Sequence, residues 1–198
     1  FSRGGDFIRK MSLKQIHELI GDPKDDATNA FTARILLLIN SECLLNESAY
    51  TAARGGTIDR YWDGRNQAAD FRPIMLINDL KRWWGVLCLN FERFTPASNA
   101  SDGKGRENPD RKIANLKLRY ARSLAVFSVL WGLLDESTPD GLVSRASLED
   151  ILNRTPVRRM MGIAERAGGG SRAGEQVHNL LVAYDKYLSF MHKDKETL

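Results

Sequence analysis

Asn78, Asp79 and Arg82 lie within about one turn of one another if their segment is helical, which brings an amide, a carboxylate and a guanidinium together. Such a trio suits a polar cleft in which Arg82 grips a phosphate or carboxylate. It equally suits an i, i+3 ion pair between Asp79 and Arg82 on a solvated or inter-helix face. A second group is denser in charge. Arg111, Lys112, Lys117, Arg119 and Arg122 place five cations in twelve residues, with Asn115 one turn before Arg119. In a regular helix Arg119 and Arg122 share a face, which can hold a triphosphate or a nucleic-acid backbone. The same charges also fit a solvated flank paired with nearby acids.

Other residues carry weaker signals. Trp83, Trp84 and Trp131 could stack on a base. Trp84 and Trp131 fall on apolar stripes and are expected in the core, so Trp83 is the one free to line a groove or an interface. Gly168-Gly169-Gly170-Ser171-Arg172 precedes a helix but lacks the Gly-Lys-Ser/Thr ending of a phosphate loop, which makes it a connector. Arg154, Arg158, Arg159 and Arg166, beside Met160 and Met161, read as an amphipathic surface helix. Arg172 and His178 have the Arg-x5-His spacing of the HEPN ribonucleases, and that resemblance implies a metal-independent, all-α enzyme using the pair around a scissile phosphate. A chain this rich in arginine yields one such spacing by chance.

The elements that must position these residues are helical. Hydrophobic residues make up 42% and charged residues 27% of the 198, a globular composition, and the net charge of +4 permits a polyanionic partner without requiring one. The longest apolar run, Ile35 to Ile39, is far short of the ~20 residues of a membrane span. Cys43 and Cys88 sit in apolar helical patterns and are expected as reduced core residues of a cytoplasmic protein. With three scattered histidines there is no zinc pattern, and no metal ligand is assigned.

Periodicity predicts helices over Asp6 to Ile20, with a capping box at Ser12 and Gln15, and over Asp26 to Leu45. A short helix capped by Asn46 runs through Ala53 until Gly55-Gly56 breaks it, and Thr57 to Trp62 adds a turn or two. Long helices follow over Pro73 to Phe94, with Ile77, Leu80, Trp84, Leu87 and Phe91 as its core stripe, and over Arg111 to Leu134, with Tyr120, Leu124, Phe127, Trp131 and Leu134 as its own. Residues 95–110, rich in Ser, Asn, Gly and Asp, are expected to form a mobile loop. A short helix covers Ser147 to Asn153, another runs from Pro156, behind the cap Thr155, to about Ala167, and a last helix capped by Ser171 ends near Lys193. No strand pattern is present. The expectation is one all-α domain over residues 1–198, a bundle of seven to eight helices with no sheet.

Three stretches carry a resemblance: Arg34 to Glu42, Phe71 to Trp84 and Asn115 to Leu124. Together they are similar to the helical C-terminal region of bacterial proteins that begin with a polymerase-β-like nucleotidyltransferase domain. The resemblance covers about a sixth of the chain and implies a substrate-binding or regulatory region that closes over nucleotide or acceptor. It implies magnesium and a nucleoside triphosphate as cofactors, a nucleotide or nucleic acid as partner, and Asn78, Asp79, Arg82, Asn115, Lys117, Arg119 and Arg122 as contacts. The catalytic chemistry of that family needs two metals ~4 Å apart held by an Asp-x-Asp pair. This chain has no Asp-x-Asp, so the resemblance places the catalytic domain upstream of Phe1 and assigns no catalytic residue here. A plain helical interaction module is the remaining alternative.

Overall fold

The computed structural model describes residues 11–62, 70–94, 109–168 and 170–196. The start of the expected first helix lies outside these residues, as does the expected loop at 95–110 apart from its last two positions. The described residues are overwhelmingly helical. The chain gathers into two compact units, one drawn from Phe1–Trp83 with Thr138–Arg145, the other from Trp84–Ser137 with Ala146–Leu198.

In the first unit, α1 (Leu13–Glu18) opens on the Ser12–Gln15 capping box, with both reciprocal bonds made. The helix expected over Asp26 to Leu45 is two helices, α2 (Lys24–Thr28) and α3 (Ala30–Ile39), broken at Asn29. Asn29 has φ 58°, a left-handed conformation that asparagine tolerates better than most residues. Its side chain also accepts a hydrogen bond from the Thr32 hydroxyl at 2.6 Å. The next helix, α4 (Glu47–Trp62), starts at Asn46, whose side chain accepts from the Ala49 N–H at 3.0 Å. It runs straight through Gly55-Gly56, where a break was expected. Two glycines cost a helix about 2 kcal/mol together, which the burial of Thr57, Ile58 and Tyr61 on the same helix offsets.

The expectation of no sheet needs a small correction: β1 (Asp70–Phe71) and β2 (Val143–Ser144) form an antiparallel two-residue ladder. Runs this short carry no readable alternation. Phe71 and Val143 are buried, as are Phe31, Ile35, Leu38 and Leu76 of the same unit.

Helix α5 (Ile74–Phe94) follows Pro73 as expected. Its buried stripe in the first unit is Leu76, Asp79, Leu80 and Trp83, rotated from the stripe that periodicity suggests. In the second unit, α6 (Pro109–Lys117) passes into a π turn (Leu118–Arg122) and then α7 (Ser123–Asp135). The buried face of α7 is Leu124, Val126, Val129 and Leu133, and the expected core residues Trp131 and Leu134 are exposed, Trp131 by 41%. Helices α8 (Arg145–Asn153), α9 (Pro156–Ala167) and α10 (Arg172–Glu196) complete the unit. Thr155 caps α9 and Ser171 caps α10 through side-chain acceptors, as their positions in the sequence suggest. The core here joins Leu124 of α7, Met160 of α9 and Val177 of α10.

Arg159 corrects the surface reading of α9. It is buried, donating to the Ile151 carbonyl at 2.7 Å and to the Ser128 hydroxyl at 3.1 Å. It thus satisfies carbonyl groups at the end of α8 that the helix itself leaves open. Arg154 and Arg166 pair with Asp150 and with Asp135 and Glu136.

Candidate functional site

The polar residues of the first unit converge on Arg34. This residue sits at the i+3 position from Phe31 and next to Ile35, on the apolar face of α3, and its side chain is 0% exposed. All five of its N–H donors have acceptors. Nη1 donates to the Ile16 carbonyl at 2.8 Å and to Asp25 Oδ1 at 3.1 Å. Nη2 donates to Asp25 Oδ2 at 2.6 Å and Asp79 Oδ2 at 2.7 Å. Nε reaches Asp79 Oδ2 at 3.1 Å and the Tyr61 hydroxyl at 3.2 Å. The Tyr61 hydroxyl in turn donates to Asp79 Oδ2 at 2.7 Å.

The break at Asn29 makes this possible. Asp25 and Arg34 are nine residues apart, which in one continuous helix is about two and a half turns and puts them on opposite sides. The left-handed residue redirects α2 so that Asp25 returns to Arg34.

Asp79 and Arg82 do form the expected i, i+3 pair, at 3.0 Å, with Asp79 1% exposed and Arg82 partly open to solvent. Arg82 also bonds Asp25 at 3.0 Å and pairs with Asp26, while its guanidinium lies 4.0 Å over the Phe31 ring. Both guanidinium Nη groups are therefore held by this chain's own carboxylates. Asn78 is exposed and outside the cluster. Burial opposes the charge on Arg34, but the bonds to Asp25 and the charge of Asp79 outweigh it and hold the group above its ordinary value. Burial, reinforced by Asp79, pushes the Tyr61 hydroxyl well up, so it remains a donor.

His17, on α1, belongs to the same unit. Thr57 Oγ1 gives its proton to the Ala53 carbonyl at 2.8 Å, so His17 Nε2 must be the donor in its 2.8 Å bond to Thr57. Burial, then Arg60 and Arg34, lower the histidine below its usual value.

The second unit has a different character. A hollow of about 650 Å³ is walled by Trp84 and Phe91 of α5 and by Arg111, Asn115 and Arg119 along α6 and the π turn. Arg111 lies 5.4 Å from the centre of the Phe91 ring. Cys88 also lines this hollow; it is half-buried rather than core, and burial followed by the charge of Glu92 raises its thiol. Cys43 is likewise half-buried.

A second hollow of about 290 Å³ lies along α7 and α10, and Arg119 and Ser123 border both. Ser123 donates its hydroxyl to the Arg119 carbonyl, a back-bond that accompanies helix distortion and fits the π turn. π turns inside α-helices recur at functional sites. They also take more residues per turn than the α-helix, so the i, i+3 spacing of Arg119 and Arg122 no longer guarantees one face. Arg119 borders the hollows; Arg122 lines neither and lies near Tyr187, whose hydroxyl is raised by burial and by Tyr184 with Arg122 working against both. Lys117 is exposed and lines neither hollow.

The tryptophans invert the expectation. Trp83 is 5% exposed and belongs to the core, whereas Trp84 and Trp131 line the hollows. Arg172 and His178 are both exposed on α10, six residues apart, which on a 3.6-residue turn sets them on different sides. Among the described residues no three His, Cys, Asp or Glu side chains gather where they could hold a metal ion. No helix among them is long and apolar enough to cross a membrane.

Fold and site together define a class: an all-α protein with a sealed ion cluster in one unit and a cation-edged, aromatic-walled hollow in the other. No protein-family model matches the chain, and no curated protein or solved structure is detectably similar to it.

Proposed function

We propose that this chain is a helical nucleotide-binding region that serves a nucleotidyltransferase-type catalytic part, with the wider hollow of the second unit as its binding site. The observation that carries this reading is the pairing within that hollow of the cations Arg111 and Arg119 with the aromatic rings of Trp84 and Phe91. A nucleotide needs both kinds of group: cations for its phosphates and ring faces for its base. Asn115, with both a donor and an acceptor, suits a base edge or a ribose hydroxyl. The volume of about 650 Å³ lies within the range of small-molecule sites. The metal-binding carboxylates and the chemical step belong to the catalytic part, and the role of this region is to bind and orient.

Calorimetric titration of the full chain with nucleoside triphosphates, diphosphates and nucleosides tests the proposal. Affinity should rise with phosphate count and fall at least tenfold in Arg119→Gln and in Trp84→Ala. Equal affinity for nucleoside and triphosphate, or no heat at millimolar nucleotide with the helical circular dichroism intact, would remove it.

A further inference from the structure

The narrower hollow has a different chemistry from the wider one. Its walls are rings, Tyr120, Phe127 and Trp131 from the π turn and α7 and Tyr184 from α10, and Leu124 and Leu180 complete the apolar lining. Tyr120, Leu124, Phe127 and Trp131 follow i, i+4, i+7 and i+11 spacing, the stripe that ordinarily faces a core. Here the stripe also borders an open cavity: Leu124 reaches into the core, while Trp131 stays 41% exposed at the edge. The polar groups bordering it are Ser123, whose proton goes to the carbonyl of Arg119, and the guanidinium of Arg119 itself. No hydrogen bond, ion pair or ring contact engages that guanidinium among the described residues, in contrast to Arg34 and Arg82.

From this we infer a second ligand site, one that takes a small aromatic anion: a flat ring body between the aromatic walls and a carboxylate, or a like anion, on Arg119. Size supports the assignment. An apolar cavity of about 150 Å³ suffices for benzene, so about 290 Å³ accommodates a fused bicyclic ring. Charge supports it as well. The lining supplies ring faces and aliphatic surface for the body and one cation for the head, with no carboxylate among the lining residues to repel it. Ring-on-ring contact favours an aromatic body over an aliphatic chain. The inference does not rest on the nucleotide reading, since the two hollows share Arg119 and Ser123 and differ in every other wall.

The probes are 2-naphthoate and its neutral counterpart 2-naphthamide, each titrated into the full chain while Trp fluorescence is followed and checked by calorimetry. Native protein should bind naphthoate at least tenfold more tightly than naphthamide. Arg119→Gln should erase that preference while leaving naphthamide affinity within about twofold. Leu180→Trp, which fills the hollow and leaves Arg119 in the sequence, should abolish binding of both. Arg111→Gln, which alters the wider hollow alone, should leave naphthoate binding unchanged and weaken nucleotide binding. Near-UV circular dichroism reports whether each variant keeps its native packing.

The inference is overturned if naphthoate and naphthamide bind the native chain equally, if Arg119→Gln keeps the preference, if natively packed Leu180→Trp binds as before, or if no binding occurs. Naphthoate binding without nucleotide binding removes the nucleotide reading alone; the reverse outcome removes this site alone.

Discussion

Arg34 and Arg119 are the same residue type on apolar-patterned helices, one in each unit, and the structure treats them in opposite ways. Arg34 is fully enclosed and saturated, with five N–H groups satisfied by two carboxylates, a phenol and a carbonyl. Arg119 stands on a widened turn between two hollows, with no described partner for its guanidinium. A buried charge is tolerated only with complete pairing, so a saturated arginine is committed to the fold. An arginine that edges a cavity without a partner keeps its donors for something else. Density of charge along the sequence separates these cases poorly: Arg34 stands alone among apolar residues, and Arg119 stands in a basic run.

The comparison predicts its largest effect at Arg34. Arg34→Met leaves two buried carboxylates without their main counter-charge and should lower the stability of the chain by about 3–5 kcal/mol, read by urea denaturation. A loss under 1 kcal/mol would mean that the cluster is not the sealed element described. An opposite, smaller effect is expected at Gly85 in α5, where an added Cβ meets no described atom within 4 Å. Gly85→Ala should stabilise by about 0.5–1 kcal/mol, because alanine restricts the unfolded chain and suits the helix. Unchanged or lower stability would point to a neighbour at that position.

Protonation sharpens the contrast from the side of the first unit. The folded state lowers the pKa of His17, so above the ordinary value near 6.5 both states hold it neutral and its contribution is complete. As pH falls through that value the unfolded chain takes up a proton first, and stability declines until the lower folded value is passed. A series of urea transitions between pH 7.5 and 5 should show this decline, and His17→Gln should flatten part of it. An identical slope in the variant would assign the decline to other groups.

The smallest stability effect is expected at Arg119, where substitution by Gln should change the unfolding free energy by no more than about 0.5 kcal/mol, as for a surface side chain outside any network. A loss near that of Arg34→Met would erase the distinction between the two arginines, and with it the assignment of Arg119 to ligand binding.

Much of this was legible in the sequence, and the misses share a cause. The caps at Ser12, Asn46, Thr155 and Ser171 and the start of α5 after Pro73 are local, so a few residues of sequence suffice to place them. The buried stripes of α5 and α7 differ from the apolar period because a charged or small residue takes an inward position on each helix. Asp79 faces inward with Arg34, and Ser128 and Gly132 face the core where Arg159 and Ile151 approach. One signal was available: Arg34 occupies the core-facing spacing of Phe31, Ile35 and Leu38, and a cation there calls for a buried carboxylate.

The sequence by itself determined that the chain is helical, where most helices begin, and that two segments concentrate polar and cationic groups, because caps and the 3.6-residue period act over short distances. Only the tertiary structure decided which arginine is saturated and which is open, which tryptophan is core and which edges a cavity, and that the helix before Arg34 must break at Asn29. Those outcomes depend on what approaches each side chain from elements distant in sequence, and pairing a buried charge outweighs any local preference for where a helix should continue.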